Sequence, residues 1–148
     1  MRNTENGFTL FEILAVMVIL GLVIAVVPTP FKGNSPMVQA KAEAATISAR
    51  LRGLRAKAIA MSDERLAIVD LDKKSIRFDD GRGPVMIDRT LTVAVTSADS
   101  ERVSSVMRGI RFYPNGASSG ATIRIASGDQ GFLIRINWLT GRVSTDAL

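Results

Sequence analysis

The sequence predicts an α+β fold in which a long N-terminal α-helix, first apolar and then amphipathic, packs on an antiparallel β region. Residues 8–27 form an apolar stretch with a single charged side chain. Residues 36–61 are rich in Ala and repeat apolar residues at helical spacing. The rest of the chain consists of short alternating runs separated by Gly, Pro, Asn and Asp, which is typical of strands and turns. A length of 148 residues accommodates one domain of ordinary size beyond the apolar stretch.

The apolar stretch at residues 8–27 has the length of a membrane-spanning helix. Its 20 residues would rise about 30 Å as a helix, which is the thickness of a bilayer core. Glu12 is its only charged residue, and a carboxylate that faces lipid costs on the order of a few kcal/mol unless it has a partner. A cleaved signal peptide explains the stretch poorly, because no small-x-small cleavage site follows the apolar core. A plain single-pass anchor explains the length but not Glu12.

The composition argues against catalysis. The chain has no cysteine and no histidine, which removes disulfides, thiolate nucleophiles and the usual zinc and triad chemistries. We therefore expect no enzymatic activity and no cofactor. Beyond Val27 the chain carries 18 basic and 12 acidic residues, an excess that permits an anionic partner, although the basic residues are spread along the chain.

A hinge is predicted at residues 28–35, because its prolines, glycine and asparagine interrupt a helix. Ser35 and Pro36 suit the N-cap and first position of a second helix over residues 36–61. The face expected to be buried consists of Ala40, Ala44, Ile47, Leu51, Leu54, Ala58 and Met61. Arg50, Lys57 and Arg55 flank that face and Arg52 points away from it. The favoured interpretation is a solvated basic face; a nucleic-acid groove or a site for an acidic partner stays open.

A β region is predicted over residues 65–145, with a hairpin turn at residues 72–74 and turn-rich loops elsewhere. The expected strands are residues 66–71, 75–78, 90–96, 109–113, 121–126, 132–137 and 141–144. Ile123, Ile125, Ile134 and Ile136 alternate with Arg124 and Arg135, which predicts a sheet with one buried face. Residues 97–105 are polar and predict a loop, whose order the sequence leaves open.

Two further groups of residues were weighed as binding sites. Asp70, Asp72, Asp79 and Asp80 are the only acidic cluster that suggests calcium, but Asp is common in turns and the spacing offers no converging ligand set. We therefore predict no metal site. Trp138, the one tryptophan, is expected in a packed or edge position rather than in a binding platform.

The segment around Gly7 resembles the processing site of type IV pilin-like proteins. The match is Gly-Phe-Thr-Leu-x-Glu at residues 7–12, followed by about fifteen apolar residues. The resemblance implies that residues 1–7 are a leader, that a prepilin peptidase cuts between Gly7 and Phe8, and that the new amine of Phe8 is methylated. It also implies that Glu12 acts in assembly. The leader would lie in the cytoplasm, residues 8–27 in the bacterial inner membrane, and residues 36–148 in the periplasm.

The C-terminal part resembles the GspH/FimT branch of that family. The matching segments are Phe-Tyr-Pro-Asn-Gly at residues 112–116, Ser-Gly at 119–120, residues 134–137 and Thr-Gly-Arg-Val at 140–143. The resemblance implies a pilin-like fold and a structural, non-enzymatic role as a minor pseudopilin near the tip of a type II secretion pseudopilus. The implied partners are the prepilin peptidase, other major and minor pseudopilins as filament neighbours, and the inner membrane.

The alternative within this branch is a FimT-like minor type IV pilin that binds DNA for natural transformation. In such proteins a C-terminal Gly-Arg-x-Arg contacts DNA. This chain has Gly141-Arg142-Val143-Ser144, so Arg142 matches and the second arginine is missing. Nucleic acid is therefore the less favoured partner, and Arg142 is its one candidate contact.

Overall fold

The computed structural model describes residues 9–26, 35–98 and 101–148. The chain divides into two compact units, Met1–Gly33 and Asn34–Leu148. The predicted leader at residues 1–7, the Gly7–Phe8 junction and most of the predicted hinge lie outside the described residues. These three predictions therefore stay predictions.

The first unit contributes helix α1, Leu10–Val26. Thr9 precedes it, and the Glu12 backbone amide donates to the Thr9 hydroxyl at 3.2 Å, which is an N-cap contact. Every described side chain of this helix, from Leu10 to residue 22, is exposed. None of the helices within the described residues has both the length and the apolar character needed to cross a membrane.

The second unit begins with helix α2, Pro36–Met61, which has the bounds that the sequence predicts. Ser35 occupies the N-cap position, as predicted, although its side chain makes no capping hydrogen bond. Pro36 at the first helical position suits the start instead, since its fixed φ matches a helix and it has no amide to satisfy. The helix ends at Ser62, which adopts the left-handed conformation with φ of 51°.

One face of α2 is buried, as predicted, but one of the expected residues is exposed and one residue that was not expected is buried. Six of the seven expected residues are buried: Ala40, Ala44, Ile47, Leu51, Leu54 and Ala58. Met61 is 62% exposed, because it is the last helical residue and its sulfur contacts the Arg65 guanidinium at 3.2 Å instead of the core. Ser48 also belongs to the buried face, and the apolar pattern gave no sign of it.

Within the described residues, eight strands follow the helix and form two antiparallel sheets. The strands are β1 Arg65–Asp70, β2 Ser75–Phe78, β3 Val85–Met86, β4 Thr92–Ser97, β5 Met107–Phe112, β6 Ala121–Ser127, β7 Gln130–Ile136 and β8 Val143–Ala147. The first sheet has the order β3-β2-β1-β5 and the second β4-β6-β7-β8. Strand β3 is two residues long and lies directly after a turn-rich loop, so it was not predicted.

The hydrophobic core lies between α2 and the two sheets. Ile123 pairs with Ile134 in register, and both are fully buried together with Ile125. Arg124 and Arg135 are exposed on the opposite face, which confirms the predicted alternation. Helix α2 contacts both sheets, so one amphipathic helix supplies the lid for the whole β region.

The described part of the 97–105 loop is anchored on the first sheet. Glu101 is only 8% exposed, and its Oε1 accepts a hydrogen bond from Arg111 Nε at 3.1 Å. The space it occupies exists because β5 has Gly109 at that point, where a Cβ would lie 2.8 Å from Glu101 Oε2. Ser97 belongs to β4 rather than to the loop.

Candidate functional site

Glu12 lies in the first turn of α1, three residues after the capping Thr9. Thr-x-x-Glu is the arrangement of a capping box, and a carboxylate in the first turn is favoured by the helix dipole. Its expected assembly partner, the amine of Phe8, is outside the described residues. The hydrogen bond to Thr9 uses the Glu12 backbone amide, so only the helix dipole favours a carboxylate at this position. The role of Glu12 in assembly stays a prediction.

Arg142 lies on the turn between β7 and β8 and lines an open groove of about 580 Å³. The other lining residues are Arg52, Arg55, Thr140, Gly141 and Val143. Two of the three arginines come from α2, whereas Arg142 lies 87 and 90 residues further along the chain than Arg55 and Arg52. The fold thus brings together three guanidinium-bearing residues that the sequence shows as dispersed.

Backbone carbonyls hold the two helix arginines of this groove in place. Arg55 Nε donates to the Gly116 carbonyl at 2.9 Å, and Arg52 Nη2 donates to the Val143 carbonyl at 3.2 Å. Arg52 is exposed and Arg55 is half-buried, so the predicted solvated face holds for Arg52 and only in part for Arg55. Both side chains also make hydrogen bonds to the second sheet or to the turn beside it, and these bonds were not predicted. The prediction missed them since hydrogen bonds to a distant backbone leave no pattern in the sequence.

Two glycine turns shape the floor of the groove. Gly116 has φ of +83° and Gly141 has φ of +61°, values that L side chains rarely adopt. A Cβ on Gly141 would overlap the Gly116 carbonyl and would lie 2.8 Å from Arg55 Nε. The absence of a side chain at Gly141 therefore lets the two turns and the guanidinium meet.

A second groove, of about 660 Å³, continues from the first and shares Thr140 and Arg142 with it. Trp138 lines this second groove and is 66% exposed. Leu139, the next residue, is 64% exposed. Of the packed or edge position expected for Trp138, the packed alternative is wrong, because the β7–β8 turn carries the indole out over the groove while its backbone carbonyl accepts from the Ser118 amide at 2.8 Å.

Asp80 is the centre of a buried ionic cluster beneath α2. Arg50 donates to its two carboxylate oxygens at 2.6 Å and 3.1 Å, Arg82 Nε donates at 3.0 Å, and Lys57 donates to its carbonyl at 2.8 Å. Burial raises the pKa of Asp80, but the hydrogen bonds from Arg50 and Arg82 outweigh it and lower the pKa to about 2. The cluster fixes the loop after β2 to the helix and holds Asp80 ionised.

The four aspartates that were weighed as calcium ligands have other partners or stand apart. Asp80 binds Arg50 and Arg82, Asp79 faces Arg65 at 3.3 Å, and Asp70 Oδ1 accepts from the Lys73 amide at 2.9 Å. Asp72 is exposed. Within residues 9–26, 35–98 and 101–148, no three acidic side chains converge on a point that could hold a metal ion.

Comparisons with known proteins find a match for the N-terminal segment and another along the whole chain. Residues 2–28 match the family described as the prokaryotic N-terminal methylation motif. Over all 148 residues and 87% of the relative's length, the chain is 24% identical to the type II secretion system protein H of Xanthomonas campestris pv. campestris.

Solved structures share the fold of the second unit. The minor pseudopilin EpsH from the type 2 secretion system of Vibrio cholerae is 16% identical, with a TM-score of 0.60 over 74% of this chain and 97% of that one. The type IV minor pilin FimU of Pseudomonas aeruginosa is 20% identical, with a TM-score of 0.51 over 72% of this chain and 91% of that one. The predicted pilin-like α+β fold is confirmed.

Proposed function

We propose that this chain, a GspH-like member of the type IV pilin-like proteins, is a minor pseudopilin of a type II secretion pseudopilus. The observation that carries the proposal is the match along the whole chain to a type II secretion system protein H. The N-terminal methylation motif and the fold shared with EpsH support it independently. The role is structural: the chain supports protein export as a subunit near the tip of the filament.

The N-terminal segment would serve twice in this role. It holds the precursor in the inner membrane, with residues 36–148 in the periplasm, until the prepilin peptidase removes residues 1–7. It then packs among the N-terminal helices of other pseudopilins in the filament. The observation behind this proposal is that α1 exposes large apolar side chains all round, among them Leu10, Phe11 and Met17 at 82%, 82% and 67%. Such a surface is stable only against lipid or other apolar helices.

Glu12 would act at the step between membrane and filament. A single carboxylate in an apolar environment is costly, and pairing it with a cation offsets much of that cost. The methylated amine of Phe8, on the same subunit or a neighbour, would be that cation. Assembly would then favour the arrangement of subunits in which the Glu12 carboxylate meets the amine of Phe8.

Deletion of the gene in the bacterium that encodes it tests the proposed function. We expect loss of type II-dependent secretion, restored by the wild-type gene, with natural transformation unchanged. The opposite result, intact secretion and lost transformation, would move the chain to the DNA-uptake class. The comparisons do not favour that class, since the similar structures are pseudopilins and FimU.

Processing is tested by the intact mass of the protein. From cells that contain a prepilin peptidase, the mature chain should begin at Phe8 with a methylated amine. A Gly7→Val variant should keep the leader, because the side chain blocks the cleavage position. Retention of residues 1–7 by the wild-type chain, in cells where known prepilins are cut, would refute the predicted cleavage site.

Glu12 is tested separately from insertion and cleavage. Glu12→Ala should insert and be cleaved normally, since both need only the apolar length and the Gly7–Phe8 junction, yet it should crosslink poorly to other pseudopilins. Thr9→Ala is the matched control, because it removes the N-cap contact without removing the carboxylate. If both variants lose crosslinking equally, Glu12 acts through helix capping rather than through a charge pair.

A further inference from the structure

We propose that the groove between α2 and the β7–β8 turn binds an acidic segment of another protein. The groove is lined by Arg52, Arg55 and Arg142, by Thr140 and Gly141 of the turn, and by Val143 at the start of β8. This inference goes beyond the role in the pseudopilus and does not depend on it, because it rests on the chemistry of one surface of the second unit.

The groove is positively charged and has no internal counter-ion. Its three arginines are its only charged lining residues. Several other described arginines pair closely with carboxylates: Arg50 with Asp80, Arg111 with Glu64 and Glu101, and Arg135 with Asp146. Within the described residues, neither Arg52, Arg55 nor Arg142 makes such a pair. A carboxylate supplied from outside would therefore meet cations that the fold leaves uncompensated.

The groove is also organised before any partner arrives. Arg55 is fixed by its hydrogen bond to Gly116 and Arg52 by its hydrogen bond to Val143. A guanidinium has five N–H donors, so each retains donors that can bind a carboxylate in a bidentate manner. Little side-chain entropy is lost on binding when the cations are already in position.

The apolar border of the groove indicates a protein partner. Trp138 and Leu139 are both about two-thirds exposed, and Trp138 lines the groove that shares Arg142. Tryptophan and arginine are the residue types most enriched in the energetic centres of protein interfaces. An acidic segment that carries apolar residues between its carboxylates would use both parts of this surface.

The charge distribution around the groove is unfavourable for nucleic acid. Duplex DNA is held by many phosphate contacts along a continuous basic track. Here the track ends beside the groove, because Arg135 is paired with Asp146. Three uncompensated arginines beside apolar side chains fit a short acidic peptide better than a phosphate backbone.

Trp138 supplies a direct reporter, since it is the only tryptophan of the chain. The experiment uses the full chain in non-ionic detergent at about 0.15 M salt, where exposed charges act only over about 8 Å. The probes are a short peptide that alternates Glu with Leu, the same peptide with Gln for Glu, and single- and double-stranded oligonucleotides of random sequence. The Glu peptide should shift the Trp138 emission to shorter wavelength and protect the indole from iodide quenching.

Arg142→Gln should weaken binding of the Glu peptide about tenfold, which is the effect of losing one charge-assisted hydrogen bond. Arg124→Gln is the control: it removes the same charge from an exposed arginine of β6 outside the groove, and should change the affinity less than about twofold. Both variants should fold, since neither side chain makes a hydrogen bond within the described residues, and circular dichroism checks this.

Four results would overturn the proposal. One is the absence of any change in Trp138 emission or quenching with the Glu peptide. Another is equal weakening by Arg142→Gln and Arg124→Gln, which would show attraction by net charge alone. The third is tighter binding of an oligonucleotide than of the Glu peptide, which would identify a nucleic-acid surface. Binding of the Gln peptide as tightly as the Glu peptide would also refute the role of the arginines.

Discussion

The two helices of this chain differ in whether the structure buries their apolar side chains. Helix α1 has no polar face, and all of its described side chains are exposed. Helix α2 is amphipathic, and Ile47, Leu51 and Leu54 on its buried face are 0% exposed. The second helix therefore buries its apolar face within the second unit, whereas the proposed function assigns the apolar surface of the first to lipid or to other pseudopilin helices.

Because of this difference, we expect α2 to determine the stability of the second unit and α1 to determine insertion and assembly. Burial of apolar side chains stabilises a fold by about 25 cal/mol per Å², and in this chain that contribution comes from α2 and the two sheets. Substitutions in α1 should alter insertion and association and leave the second unit folded. Substitutions in the α2 core should unfold that unit, and the four predictions below test this division from the largest effect to the smallest.

Leu51→Asp should abolish folding of the second unit. An unpaired carboxylate in a fully buried position costs several kcal/mol, which is comparable to the whole stability of a domain of this size. Leu14→Asp is the matched control in α1, where Leu14 is 57% exposed. Thermal unfolding followed by circular dichroism should show no cooperative β-sheet transition for Leu51→Asp and an unchanged midpoint for Leu14→Asp. A lowered midpoint for Leu14→Asp would mean that α1 contributes to the core.

Asp80→Asn should destabilise the second unit by about 3 kcal/mol at neutral pH, because it leaves Arg50 with no charged partner in a mostly buried position. The folded-state pKa of Asp80 is about 2, below its ordinary value of 3.8. A lowered pKa means that the ionised form stabilises the fold above pH 4 and that this contribution is lost as the pH falls towards 2.

Urea unfolding at a series of pH values measures this effect. The difference between wild type and Asp80→Asn should be constant near neutral pH and should shrink below about pH 4. Asp72→Asn, at an exposed turn position, should unfold like the wild type at every pH. A difference that stays constant down to pH 2 would show that the Asp80 charge is not what stabilises the loop on α2.

The contrast between the helices could be predicted from the sequence, but the contacts between residues far apart in the chain could not. Composition and periodicity are local, so they predicted the bounds of α2, six of its seven expected buried residues and the alternation of β6 and β7. The pairing of Arg50 with Asp80 joins residues 30 positions apart, and the groove arginines join α2 to the β7–β8 turn. Those contacts depend on how the sheets fold back on the helix, which no local pattern shows.

Met61 and Trp138 show that residue type alone also does not predict burial reliably. Both are large apolar residues, and their type alone predicts burial. Met61 is exposed because the helix ends immediately after it, and Trp138 is exposed because a tight turn follows β7. In each case the end of an element overrides the preference of the residue for burial.

Gly141→Ala should destabilise the second unit by about 2–3 kcal/mol. About 1 kcal/mol comes from a left-handed φ that alanine disfavours, and the remainder from overlap with the Gly116 carbonyl and Arg55. Gly128→Ala is a close control, since its φ of +60° matches the +61° of Gly141 and nothing lies within 4 Å of its Cβ position. Urea unfolding should therefore show about 1 kcal/mol for Gly128→Ala alone. Equal losses would mean that the turn relaxes freely and that the groove floor is not fixed.

Thr145→Val should have the smallest effect, about 1 kcal/mol. Ser48 is the one polar residue among the buried positions of α2, and its hydroxyl lies 2.6 Å from the Thr145 hydroxyl of β8. Valine keeps the shape of Thr145 but leaves the buried Ser48 hydroxyl without its partner, which costs more than removing both groups together. Ser48→Ala should therefore be milder, because the half-buried Thr145 hydroxyl can turn to water.

The double variant should recover most of the loss of stability that Thr145→Val causes, and equilibrium urea unfolding of the three variants measures the coupling between the two hydroxyls. Additive losses in the double variant would show that the two hydroxyls do not depend on each other, and that the Ser48–Thr145 hydrogen bond does not help to hold α2 on β8.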